Sequence, residues 1–225
     1  MNGDGSITID ELGERIQQKK KEFGIQEAAK GGKIKKRPKQ GAYSEDHMAG
    51  GEKGYAKGGK IFLHWTGGGY SAKYKGKYHS IIQGDGSVFK AHPYDQKSGV
   101  AHTYLRNSQG IGMSIAAMGG DPDYWTVPVK DVQIEALAKE IANAAKAWGW
   151  SAHDITIKNV MTHAEAASGK DGQLPRNDNY GPTMWGGDGT RWDLLRLTKG
   201  GEDGSGVNIL RAKARGYMGG DSTVK

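Results

Sequence analysis

Apolar and polar positions follow two rhythms along this chain, and one long stretch follows neither. Between Lys60 and Met118, short runs rich in β-branched and aromatic residues are punctuated by glycine and polar turns: KIFLHW, YHSIIQG, SVFKAHP and IGMSIAAM. They predict strands. The triplet GDG at Gly84 to Gly86 predicts a hairpin between the second and third. From Val129 to Trp148 the rhythm changes. Ile134, Leu137, Ala138, Ile141, Ala145 and Trp148 share one face of a predicted helix, with Pro128 near its start and Gly149 at its stop. DITIKNVMTH predicts a further strand or an extended approach to His163, and WDLLRL a short closing helix. Strands interspersed with helices predict an α/β domain over residues 60–198, with a central mixed sheet flanked by helices.

The flanks read differently. In residues 1–24, NGDGSITIDEL matches an EF-hand loop from its third position onward. Asn2 and Asp4 stand as oxygen ligands, Gly5 at the sharp turn and Glu11 as the bidentate carboxylate, which makes these residues candidate Ca2+ ligands. The loop's first ligand would precede Met1, and a solvated helix start with an acidic first turn explains the same residues. A short amphipathic helix is expected from Asp10 to Phe23. Residues 25–59 form a Gly/Lys-rich basic linker that includes His47. No aromatic side chains interleave with its densest charge, so a solvated spacer suits it better than a nucleic-acid arm. Residues 199–225 read as a polar tail in which VNILRAKARGYM alone has helical character.

Composition narrows the chemistry. No apolar stretch in the 225 residues reaches bilayer length, and no apolar signal core follows Met1, so a soluble chain is expected; if it leaves the cell that made it, something else carries it out. There is no cysteine, so any metal must be held by His, Asp or Glu. The net charge of +7 favours a polyanionic partner such as nucleic acid, anionic lipid or wall polymer.

Three segments, FLHWTGG, VMTHAEAA and TRWDLL, each place a metal-capable side chain at the end of an apolar run. A catalytic zinc needs three protein ligands and an open position for water, and His64, His163 and Asp193 would supply them. Asp178 and Asp188 are rival carboxylates in the intervening loop; Asp193 is preferred for its TRWD context and the apolar run behind it. Glu165 reads as helix-capping or as a support for the ligands.

From about Lys60 to Leu197 the chain resembles the type 2 N-acetylmuramoyl-L-alanine amidase family, shared by phage endolysins and peptidoglycan recognition proteins. The resemblance is carried in order by IFLHWTGG, KYHSIIQGDGSVFKAHP, GVAHTYLRNSQGIGMSIAAMGG, VMTHAEAA and GPTMWGGDGTRWDLLRL. It implies a Zn2+ hydrolase cutting the amide between N-acetylmuramic acid and L-alanine of bacterial peptidoglycan. His64, His163 and Asp193 match the metal positions, and Tyr78 the phenol near the reacting carbonyl. Arg191 stands where the family often has lysine; its fixed charge suits an oxyanion but cannot act as a general acid. Ser114 stands where some members carry a glutamate base. His102 and Asn107 match the substrate side, with a structural role open for His102. His79, His92 and His153 are expected to be structural or idle. Trp65, Trp185 and Trp192 offer faces for sugar or peptide or serve as partial core. The TGGG run after His64 is expected to leave room for a peptidoglycan strand.

The resemblance also implies a setting: a phage-encoded lysin made in host cytoplasm and acting on the host wall, or one carried on the virion, with attachment through the N-terminal segment. No nucleic-acid partner is expected. A non-catalytic peptidoglycan-binding module and a virion structural or interaction protein are the competing readings, and an intact ligand set favours the enzyme.

Overall fold

A computed structural model of the chain describes residues 59–94, 100–120, 123–173 and 178–219. The EF-hand-like segment, with Asn2, Asp4 and Glu11, and nearly all of the basic linker lie outside the described residues.

The strands are β1 (Lys60–Trp65), β2 (Ser80–Ile82), β3 (Val88–Lys90), β4 (Gly110–Ile115) and β5 (Val160–Thr162). They form one sheet in the order β3-β2-β4-β1-β5. β1 lies parallel to both β4 and β5, β2 is parallel to β4, and only the β2–β3 hairpin is antiparallel. The sheet is therefore mixed, as the interspersed pattern predicts. The GDG turn closes the hairpin with Gly86 in the left-handed region, while Asp85 accepts from the Ser87 backbone and hydroxyl.

The two faces of the sheet have different jobs. Side chains alternate along a strand. On β1, Ile61, Leu63 and Trp65 join the main apolar core with Ile111, Met113 and Ile115 of β4, while Phe62 belongs to a smaller cluster with Met161 and Ala166. Helix α1 (Asp131–Ala147) covers the first face through Ile134, Leu137, Ala138, Ile141 and Ala145, the residues its periodicity singles out. Its start is tied to the sheet by Gln133, whose buried amide donates to the Ile82 and Ala116 carbonyls. His64, on the other parity, faces away from that core.

One short helix and one longer one complete the frame. Helix α2 (His163–Ala167) begins directly after β5, and helix α3 (Ser205–Tyr217) follows the segment that carries Asp193. The helical character of VNILRAKARGYM is realised in α3. It packs on α1, with Val207, Leu210 and Ala214 in the main core. Arg215 donates to the Ile155 carbonyl, and Lys146 to that of Tyr217. The WDLLRL segment, by contrast, forms turns rather than the expected helix. Leu194 is fully buried with φ 54°, a left-handed conformation through which a right-handed helix cannot run. Among the described residues no helix is long and apolar enough to cross a membrane.

Candidate metal centre

His64, His163 and Asp193 converge. Each offers one ligand atom, and these atoms lie within 4.8 Å of one another. All three residues are buried, with relative exposures of 1%, 6% and 8%. His64 is the fifth residue of β1, held by register against Ser114 of β4. His163 is delivered by the β5–α2 junction. There Thr162 Oγ1 accepts from the Glu165 backbone N–H, and the Glu165 carboxylate accepts from that of Thr162, a reciprocal cap that sets the first helical turn. Asp193 comes from a loop anchored by its neighbour: the Trp192 ring meets Trp65 edge-on at 4.4 Å, with Tyr124 and Trp125 at 6.1 and 6.2 Å.

The separations suit a shared ion better than direct contact. His163 Nδ1 and Asp193 Oδ2 are 3.8 Å apart, too long for a hydrogen bond. Two atoms each about 2.0–2.2 Å from one tetrahedral zinc would be separated by about 3.5 Å. The His64 and His163 rings cross at 71° with centroids 4.9 Å apart, and His163 Nε2 is buried without a hydrogen-bond partner. A buried His/His/carboxylate set with ligand atoms this close together fits a nitrogen- and oxygen-binding cation.

Electrostatics point the same way. Burial holds both imidazoles well below their ordinary pKa. His64 is pushed further by His163, His102 and Arg191, and His163 by Arg191, His102 and Arg106. Both are therefore neutral, the form that ligates metals. Burial raises the Asp193 carboxyl to about 6, against the opposing Arg191 charge and the backbone N–H groups of Asp193 and Trp65. A bound cation would reverse that burial effect and favour the carboxylate.

Tyr78 borders the cluster. Its ring centroid lies 5.2 Å from that of His64, and its hydroxyl donates to the Trp65 carbonyl at 3.4 Å. Burial, then the Asp193 charge, push its pKa up, so the phenol stays protonated. Arg191 acts electrostatically on His64, His163, Asp193 and Tyr78 together. The rival carboxylates lie elsewhere: Asp178 and Asp188 are exposed, and Asp188 accepts from the Thr190 backbone N–H.

The remaining sequence candidates occupy structural positions. His102 is buried beneath the site, its Nδ1 2.9 Å from Thr103 Oγ1, and Asn107 Oδ1 accepts from the backbone N–H groups of both His102 and Thr103. His79 Nδ1 accepts from the Gly112 N–H, and His92 Nε2 contacts the Lys75 carbonyl. His153 sits in a one-turn 3-10 helix, Ala152–Asp154. Trp185 lies beneath the Lys170 ammonium, 4.9 Å from its ring centre. In the TGGG run, a side chain at Gly67 or Gly69 would meet open space, whereas Gly68 packs directly against Gly119.

Sequence reasoning passes over two groups that the fold recruits. Thr103 touches His64, and Arg211 of α3 binds Glu165 through both of its terminal nitrogens. Neither has a signal in a linear pattern: a threonine beside a histidine and an arginine on a basic helix are both ordinary.

The family model described as N-acetylmuramoyl-L-alanine amidase matches residues 56–176, just over half of the chain's 225 residues. No curated protein matches. Among solved structures, the Ph2119 endolysin from Thermus scotoductus MAT2119 bacteriophage Ph2119 is similar at 17% identity and a TM-score of 0.38, over 60% of this chain and 82% of that one. A mutant of PlyL is similar at 14% identity and a TM-score of 0.34, over 52% of this chain and 82% of that one.

Proposed function

Because the chain belongs to the N-acetylmuramoyl-L-alanine amidase family, we propose that it is a zinc-dependent peptidoglycan hydrolase of lysin type, cutting between N-acetylmuramic acid and the L-alanine of the stem peptide. The observation that carries this reading is the buried convergence of His64, His163 and Asp193. These three side chains would hold the ion and leave a fourth position for water. When bound, zinc supplies Lewis acidity, bringing the pKa of a water toward neutrality and polarising the scissile carbonyl.

The chain's own residues do the rest. The Tyr78 phenol, kept protonated, donates a hydrogen bond to the carbonyl oxygen as negative charge develops there. Arg191 supplies a fixed positive charge to the same centre; since it does not release its proton, the leaving amine takes one from Tyr78 or from water. Ser114 lies opposite His64 on β4 and offers no carboxylate, so a strand-borne glutamate base has no counterpart at that position. The phenol and the guanidinium therefore carry the proton and charge handling.

The test is digestion of purified peptidoglycan with and without chelator. Release of new L-alanine amino ends, abolished by chelation and restored by Zn2+, is expected. No release from any wall preparation, with zinc stoichiometrically bound, would reject the enzyme and leave a binding module. Digestion of walls from several bacteria by the free protein tests the lysin role.

A further inference from the structure

We propose that Thr103 is a positioning residue for His64: its hydroxyl, oriented by His102, decides which ring nitrogen of His64 faces the metal position. The proposal rests on the zinc reading above. Thr103 Oγ1 lies 3.2 Å from His64 Nε2 and 2.9 Å from His102 Nδ1, and His102 Nε2 lies 3.3 Å from the Gly110 carbonyl oxygen.

The direction of this chain follows from its end. A carbonyl oxygen only accepts, so neutral His102 carries its proton on Nε2 and presents Nδ1 as an acceptor. The Thr103 hydroxyl donates its single proton to that nitrogen. Toward His64 it can then only accept, so His64 carries its proton on Nε2. In a neutral imidazole this leaves Nδ1 as the nitrogen with a free lone pair, the one able to ligate a cation. A backbone carbonyl on β4 thus sets the tautomer of a side chain on β1, through one histidine and one hydroxyl.

The surroundings keep the relay in place. Thr103 is 1% exposed and His102 5%, so water does not compete for their hydrogen bonds. Asn107 Oδ1 accepts from the N–H groups of His102 and Thr103 at 3.0 and 2.9 Å, clamping the backbone that presents both side chains. His102 lies directly against β4 at Gly112, where an added Cβ would sit 2.6 Å from the His102 side chain; only glycine leaves room for the imidazole. Its ring also meets Phe62, the cross-strand partner of Gly112, with ring centroids 5.6 Å apart.

The experiment has two arms on the full chain. In the metal-free native protein, 15N NMR of the imidazoles is expected to show His64 protonated on Nε2 and bare on Nδ1. In competition with a chromophoric chelator, Thr103→Val, which keeps the shape and removes the hydroxyl, is expected to bind Zn2+ about 10–100-fold more weakly, while Thr103→Ser stays within about threefold of native. A His64 proton on Nδ1 in the native protein overturns the proposal. So does a folded Thr103→Val that binds zinc as tightly as the native chain. Should that variant fail to fold, the native tautomer still decides. A native chain that takes up no zinc would reject the metal reading, whereas the metal-free measurement judges the relay separately.

Discussion

The two candidate metal histidines are held by opposite means. His64 sits on a central strand, and its ring is gripped: Thr103 contacts Nε2, and His102, Asn107 and Gly112 stand behind that contact. His163 sits at the sheet's edge, and what is gripped is its backbone. Glu165 caps the turn that starts with His163, and Arg211, buried with it, donates to the Glu165 carboxylate and to the Val160 carbonyl on β5. Its ring keeps Nε2 unpartnered. A ligand on a strand inherits a rigid backbone and needs only its ring oriented; a ligand at a strand–helix junction must first have the junction fixed. The second task falls to α3, beyond the residues that the family model matches.

Removing the less supported ring breaks the comparison most severely. His163→Ala is expected to abolish stoichiometric zinc binding and to reduce amide cleavage by more than about 100-fold, beyond what changes around an intact ligand set produce. Metal analysis per chain together with amino-end release checks it. Activity retained in this variant would remove His163 from the ligand set even if the enzyme class survived.

Next comes the backbone grip. Arg211→Met leaves the Glu165 carboxylate buried without its partner, and a loss of about 3–5 kcal/mol in unfolding free energy is expected by denaturant titration. The double change Glu165→Gln with Arg211→Met should recover part of it, because no lone charge then remains buried. Equal losses in the single and double variants would show that α3 contributes by packing rather than through the ion pair.

Tyr78→Phe probes the chemistry beside His64 without touching the ligands. Zinc affinity should hold, while kcat falls about 10²–10³-fold, the loss typical of one donor to a developing oxyanion. A fall in zinc affinity with kcat preserved would move Tyr78 from the reaction to the scaffold.

The smallest expected effect is in acid. Burial holds His79 at about 3 and His102 at about 4, and neutral His79 accepts from the Gly112 N–H. Their folded pKa values lie below the unfolded value of about 6.5, so below that pH the unfolded chain binds more protons. The stability from keeping these rings neutral is complete above pH 6.5 and is lost as pH falls from there toward 3–4. His79→Gln should flatten that acid limb in denaturant melts taken between pH 7 and 4. An unchanged slope would assign the acid sensitivity elsewhere.

Much of the frame is legible along the chain. KIFLHW is β1 residue for residue, and the periodic face centred on Leu137 and Ile141 is the face that α1 buries. Local rhythm suffices there, because burial on one face of a regular element forces a regular pattern. WDLLRL escaped it. Leucines next to an aspartate look helical, but Leu194 adopts a left-handed turn that lets Trp192 reach Trp65 while Asp193 joins the histidines.

By itself, the order of residues determined the strand–helix alternation, the positions of three metal-capable side chains and the resemblance to a hydrolase family. Only the tertiary structure decided that those three side chains meet, that His102 touches Thr103 behind His64, and that a basic helix near the end of the chain braces His163 through Glu165. Periodicity records which residues are buried by their own element. Convergence of Lys60–Trp65, Val160–Ala167 and Asp193 depends on register between elements far apart in the chain, and no local pattern encodes that register.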